Sequence, residues 1–270
     1  MSNVLLSLFA FAAYVVLAAY FWRAHERGES DVLSRSAMGH LVLIPLVLHG
    51  YLLAQGIFSG GGVNLGALNA LSLIVWLTLL VYWGVRFFYP IGGLQALALP
   101  FAAIIVLLPA FFPSAHQLEN TNLLAFKVHI TAAMLAYSLF TIAMLHAVLI
   151  SQVEKRLHHA KLPRVLRSLP PLMTMETLLF RMIGTGFILL TLTLASGVLF
   201  SEEIFGKAFQ LSHKVLFSFI SWGVFAGLLW GHHFYGWRGR TAVRWTVSGF
   251  GFLVLAYLGS KFILELLLHR

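Results

Sequence analysis

Twelve histidines stand in a chain whose charged residues make up only 10% of the sequence, and several lie inside or at the edges of long apolar runs. An imidazole in lipid costs free energy unless it is partnered, so a histidine at membrane depth is a candidate for function. The chain has no cysteine, so a bound metal or cofactor must be held by nitrogen or oxygen. Imidazole suits haem iron, copper or zinc. The same absence excludes disulfides, thiolate-bound metal and thiol catalysis. There is no phosphate-binding glycine loop and no His-Glu-x-x-His zinc pair. The apolar runs also lack the acidic pairs that an ion-coupled transporter often carries. Chemistry by the chain's own side chains is not expected: the reading is not an enzyme, with no catalytic residue.

The elements that must position these histidines follow from hydropathy. Hydrophobic residues make up 60% of 270 positions, and mean hydropathy is +0.88. A soluble domain carries about 45–50% apolar residues, so the chain reads as an all-α polytopic integral membrane protein. A helical span needs about 20 apolar residues. Eight stretches qualify: 4–22, 41–58, 66–84, 94–112, 124–150, 178–200, 214–231 and 245–265. The run 4–22 has no basic segment before it, so it reads as a span rather than a cleaved signal. Residues 1–270 are expected to form a single transmembrane domain. The longest connection, 151–177, holds Lys155, Arg156, His158, His159, Arg164, Arg167 and Pro170-Pro171, and reads as a basic interfacial segment with one short helix.

Positive charge alternates along the connections. Arg23, Arg27 and Arg35 follow the first run, Arg86 the third, Lys155 through Arg167 the fifth, and Arg238, Arg240 and Arg244 the seventh. The even-numbered connections hold almost none, with Lys207 offset by Glu202 and Glu203. Basic loops face the cytoplasm, so both termini are expected outside, on the periplasmic side. The net charge of +9 then reflects topology and attraction to anionic lipid headgroups. No aromatic-basic RNA motif is present, so nucleic acid is not an expected partner.

At about 1.5 Å per residue, this topology sorts the histidines by depth. His49 lies in the middle of 41–58, and His129 lies shallowly in 124–150 from the outer side. His213 sits at the outer entrance of 214–231, His116 in an outer connection, and His269 at the outer terminus. His232 and His233 close the seventh run on the inner side. His146 lies 17 residues beyond His129, about 25 Å deeper, and reads as structural. An outer group therefore draws on His129, His213, His269 and His116, with Lys127 and Lys214 at the same level. A deeper group draws on His49 with His232 or His233. Haem suits such a layout: imidazoles on different helices grip iron, and cations at the membrane edge pair with propionates. A zinc site would prefer three or four ligands with some carboxylate. A backbone carbonyl could equally be the partner His49 requires. Histidines at helix ends, among them His25, His40, His158 and His159, read as interfacial.

Gly223, Gly227 and Gly231 share one helix face at four-residue spacing. Close helix packing is the favoured reading, and a flat wall for a planar cofactor is the other. Pro45, Pro100 and Pro109 are expected to mark kinks.

The run Gly231-His232-His233 through Gly236-Trp237-Arg238-Gly239-Arg240, followed by Gly249-Phe250 and Ala256 through Lys261, resembles the end of the cytochrome c assembly protein family, the group of CcsA, CcmC and HemX. Lys127-Val128-His129 through Tyr137 is similar to that family's first outer haem histidine and its helix. Pro170-Pro171-Leu172-Met173 and the LLTLTLASG stretch resemble the HemX/YpjD branch of inner-membrane proteins. The resemblance covers most of the chain and is strongest over 124–265.

What this resemblance implies is a multi-pass, haem-handling protein of the bacterial inner (cytoplasmic) membrane. His129 matches the first outer histidine, and His49 sits where a transmembrane histidine is expected. His232 falls two residues from the second such histidine, and His269 lies near the last outer one. The chain departs from haem-delivering members, which carry a tryptophan-rich WWD motif before the seventh helix. This chain has no tryptophan between Trp83 and Trp222. The expected function is therefore an accessory one: haem b binding that assists cytochrome c assembly or haem trafficking. Iron would be held by His49 with His232, or by His129 with His213. Other cytochrome c maturation proteins, a haem-synthesis enzyme and membrane lipids are the expected partners. The alternatives are a HemX-like membrane regulator of a tetrapyrrole-synthesis enzyme, docked on 151–177, and a transporter of a small molecule or ion. No inverted repeat supports the last.

Overall fold

A computed structural model describes residues 2–27, 37–58, 63–88, 94–113, 117–118, 123–157, 171–201 and 212–259. Each of the eight apolar stretches falls on a helix over its described residues, with 260–265 of the last one lying outside them. In chain order these are α1 Ser2–Arg27, α2 Leu43–Ile57, α3 Ala67–Val85, α4 Leu94–Phe111, α5 Leu124–Leu157, α6 Leu172–Leu199, α7 His213–Tyr235 and α8 Gly239–Val254. A single helical turn at Ala37–His40 precedes α2, and a π turn, Leu255–Gly259, continues α8. Among the described residues five helices are long and apolar enough to cross a membrane, within α1, α3, α5, α6 and α7, while α2 and α4 are shorter apolar helices.

The connections after α1, α3, α5 and α7 lie at one end of the bundle, called here the basic end. Arg86 meeting His40 and Gly239 meeting Glu176 fix these segments together there. At the opposite end, β1 Val63–Asn64 pairs antiparallel with β2 Gln117–Leu118, Val63 facing Leu118 and Asn64 facing Gln117. This ribbon joins the connection after α2 to the connection after α4.

Helices α1 to α4 enclose one core, built on Tyr14, Phe21, Leu46, Leu79 and Leu99. Helices α5 to α8 enclose another, built on Phe140, Ile150, Leu179 and Phe225. The seam is α3 against α5, where Thr78 and Ser138 hydroxyls share the Ile74 and Ser138 carbonyls. On the other side of α5, the Tyr137 hydroxyl donates to the Leu253 carbonyl of α8 at 2.9 Å. In a medium without water, such a bond removes an otherwise unsatisfied polar group.

Several expectations change. Within the segment 151–177, the described residues at its two ends are helical. Its first residues prolong α5 to Leu157, because Glu154, Lys155 and Arg156 are good helix formers on an established helix. Its last residues open α6, whose helical dihedrals begin at Leu172 directly after Pro171, a position where a missing N–H costs nothing. Residues 158–170 lie outside the described ones. Pro45 produces no break, since it falls in the first turn of α2, where N–H groups have no intrahelical partner. Pro100 and Pro109 are carried inside α4.

The α7–α8 hairpin depends on two glycines. Gly236 ends α7 in the left-handed region (φ 65), with its N–H returned to the Gly231 carbonyl, and Gly239 opens α8 at φ 55. A side chain at either φ is strained. Glu176 of α6 then accepts the Gly239 N–H at 2.8 Å, placing a carboxylate at a helix N-terminus. Glu154 of α5 pairs with Arg240 at 3.5 Å.

The glycine stripe of α7 is a packing device for two of its members. Gly231 lies under the Trp237 ring and Gly227 under Trp245, while Gly223 faces open space. Gly231→Ala should therefore drive a methyl into the Trp237 ring and lower the thermal midpoint in detergent by an amount equivalent to about 1–3 kcal/mol. Gly223→Ala should leave the midpoint unchanged or raise it. Replacing Glu176 by Ala should cost about 1–2 kcal/mol through loss of the α8 cap, read by the same melts, with Gln recovering part of it.

Candidate functional site

The sequence-selected histidines fall in different places. His49 is buried at 1% exposure, at the floor of a cavity of about 520 Å3 that opens at the opposite end. Its ring is gripped from two helices. The Tyr14 hydroxyl of α1 lies 3.3 Å from Nδ1, and the Ser72 hydroxyl of α3 lies 2.8 Å from Nε2. Tyr14 also meets the imidazole edge-on, at 80°. The partner that burial demands is thus supplied by two hydroxyls rather than a backbone carbonyl.

His232 lies in the last turn of α7 and lines a second cavity of about 390 Å3 at the basic end. The 19 residues that separate it from His213 span about 28 Å along α7. Helix α2 packs on α1 and α3, whereas α7 packs on α6 and α8. His49 and His232 therefore do not form a deeper pair. They face separate cavities opening at opposite ends, because depth along a helix says nothing about which helices adjoin.

The His232 ring is held firmly. Nδ1 donates to the Trp237 carbonyl at 3.0 Å, and the ring stacks on Phe180 at 3.5 Å and 12°. With the proton on Nδ1, the lone pair of the ring is on Nε2. An N–H···O=C bond behind the ring is the support that metal-bound histidines commonly use. The αL turn at Gly236 creates it, by bringing the Trp237 carbonyl back over the end of α7. Around the cavity stand His233, Arg181 and Arg238 as cationic or ionisable groups, Glu176 as a carboxylate already engaged by the Gly239 N–H, Thr177 as a hydroxyl, and Leu229, Met173 and Phe180 as apolar wall. This donor set fits a haem: one oriented imidazole, an apolar face, and two guanidiniums able to pair with propionates.

At the opposite end, His129 is half-buried in the first turns of α5, with Nδ1 2.9 Å from the Ser196 hydroxyl of α6. Gly197 packs against the ring, where a Cβ would stand 3.3 Å from it. Lys127 is exposed two residues earlier. His213 is the exposed first residue of α7, followed by Lys214. Both α5 and α7 pack on α6, so these residues share an end of the bundle. His269 and His116 lie outside the described residues. His146 is buried, and its Nε2 donates to the Met175 carbonyl at 3.0 Å, a structural bond between α5 and α6. His40 accepts from the Arg86 guanidinium at 3.1 Å. Among the described residues no three of His, Asp and Glu gather as a metal-ligand set.

Sequence reasoning missed Arg181, Phe180 and the Trp237 carbonyl, and also Tyr14 and Ser72. Arg181 did carry a signal, as a lone charge inside the run 178–200. The carbonyl carried none.

Comparison with known proteins agrees with this architecture. Inner membrane protein YpjD of Escherichia coli K12 is 33% identical over 229 residues, covering 83% of this chain and 85% of that protein. Protein HemX of Brevibacillus brevis is 24% identical over 259 residues, 94% of this chain and 93% of that one. Cytochrome c biogenesis protein CcsA of Prochlorococcus marinus is 36% identical over 89 residues, 33% of this chain and 28% of that one. No solved structure matches the chain. The profile of the family described as Cytochrome C assembly protein covers residues 37–268, and the chain belongs to that family.

Proposed function

We propose that this is a multi-pass protein of the bacterial inner membrane that binds haem b and assists cytochrome c assembly or haem trafficking. In this reading all eight helices span, the basic end faces the cytoplasm, and both termini are periplasmic. The protein is an accessory rather than an enzyme. The carrying observation is the His232 cavity, where a ring fixed by the Trp237 carbonyl and Phe180 stands beside Arg181 and Arg238. When bound, haem supplies an iron centre that accepts an imidazole nitrogen. His232 would offer Nε2, Phe180 fixes the plane of the imidazole, and Arg181 and Arg238 would pair with the propionate carboxylates. A second haem position at the opposite end would draw on His129 and His213, with Lys127, Lys214 and His269.

A second reading has a soluble haem-synthesis enzyme docking at the basic end. Favouring it, α5 and α6 continue beyond their apolar runs, α5 to Leu157 and α6 from Leu172. A crosslinking pull-down should then recover such an enzyme, and recovering none would remove this reading.

The principal test is absorbance of the purified protein, oxidised and dithionite-reduced, with a pyridine haemochrome assay. Near-stoichiometric haem b is expected. His232→Ala should reduce haem per protein about tenfold or more. Arg181→Gln with Arg238→Gln should weaken retention while leaving the type of spectrum unchanged. Haem content equal to wild type in His232→Ala would remove the basic-end site.

A further inference from the structure

The cavity above His49 differs in chemistry from the one at His232. No Lys, Arg, Asp or Glu lines it among the described residues. Its polar groups are amides and hydroxyls, including Asn3, Gln55, Asn69 and Ser72, and the rest of the wall is aliphatic, with Leu52, Leu53, Val106 and Pro109. A ligand with two carboxylates would enter without a counter-charge, which such a site penalises heavily. The floor lies eight residues before the end of α2 at Ile57, about 12 Å down. With α2 spanning, as in the proposed function, that is within the depth of a hydrocarbon core about 30 Å thick, and the uncharged lining favours an uncharged occupant at home in lipid.

The one directional feature is the Tyr14–His49–Ser72 chain. With the Tyr14 hydroxyl donating to Nδ1, Nε2–H is the donor that meets Ser72. Ser72 lines the cavity and Tyr14 does not, so the Nε2 side of the ring faces the open volume. A ligand carbonyl can take the place of the Ser72 oxygen, while the amide-rich rim meets a second acceptor and the aliphatic wall covers a flat ring. Volume in the range of small-molecule sites supports this.

We propose that this cavity binds a membrane-soluble quinone, with His49 Nε2–H donating to one ring carbonyl and Tyr14 holding the tautomer. The proposal is independent of haem binding at His232, and it concerns binding alone. The test is equilibrium titration of the purified full chain in detergent with decylubiquinone, against empty micelles and decanol as controls. Saturable one-to-one binding is expected, about tenfold weaker in His49→Leu and unchanged in His232→Ala. Ser72→Ala, a small change that removes the competing acceptor, should tighten binding about threefold and serves if His49→Leu does not fold. Partition no greater than into empty micelles would overturn the proposal. So would affinity indifferent to both variants, or haemin displacing the quinone one for one through His49.

Discussion

Every polar group inside this bundle must find its partner within the protein, because the hydrocarbon around it offers none. The threonines and serines of the helix interiors meet that demand largely by bonding back to the preceding turn, as Thr141, Thr191 and Thr246 do. The few that reach across helices therefore decide which helices adjoin. Trp76 reaches the Leu46 carbonyl, Ser221 the Gly249 carbonyl, Tyr137 the Leu253 carbonyl and Tyr257 the Leu65 carbonyl.

The two cavities show what this logic produces at opposite ends. At the basic end two arginines and a carboxylate line the cavity, and the imidazole is supported by a carbonyl. Its Nε2 is left carrying the lone pair. Toward the opposite end the lining is uncharged, and the imidazole is clasped by two hydroxyls that can donate or accept. One residue type thus stands in two electrostatic settings, and setting rather than identity assigns the chemistry. Membership of a cytochrome c assembly family gives this contrast its biological frame, without by itself assigning a role to either ring.

Much of the scaffold was legible in the sequence. The eight apolar runs are helices because composition at membrane length leaves the backbone no other way to satisfy itself. Helix ends were less so: α6 begins at Leu172, ahead of the run 178–200, and α8 begins at Gly239, where a polar first turn hides a helical start from a hydropathy window. The partnership of His49 with His232 failed for a different reason. Spacing fixes height along an axis, but neighbourhood depends on side chains hooking between helices, and Tyr14 and Ser72 each read in isolation as ordinary residues. The support behind His232 is a main-chain carbonyl set by a glycine φ, which no residue type announces.

One residue joins the hairpin to its ring. Trp237 closes over Gly231 with its side chain and holds His232 with its carbonyl, while the helix that follows it is anchored by carboxylates from α5 and α6. A lateral displacement of α8 thereby becomes a rotation of the imidazole. Whatever pushes on that helix from the membrane or from a neighbouring protein has a mechanical lever on the imidazole itself.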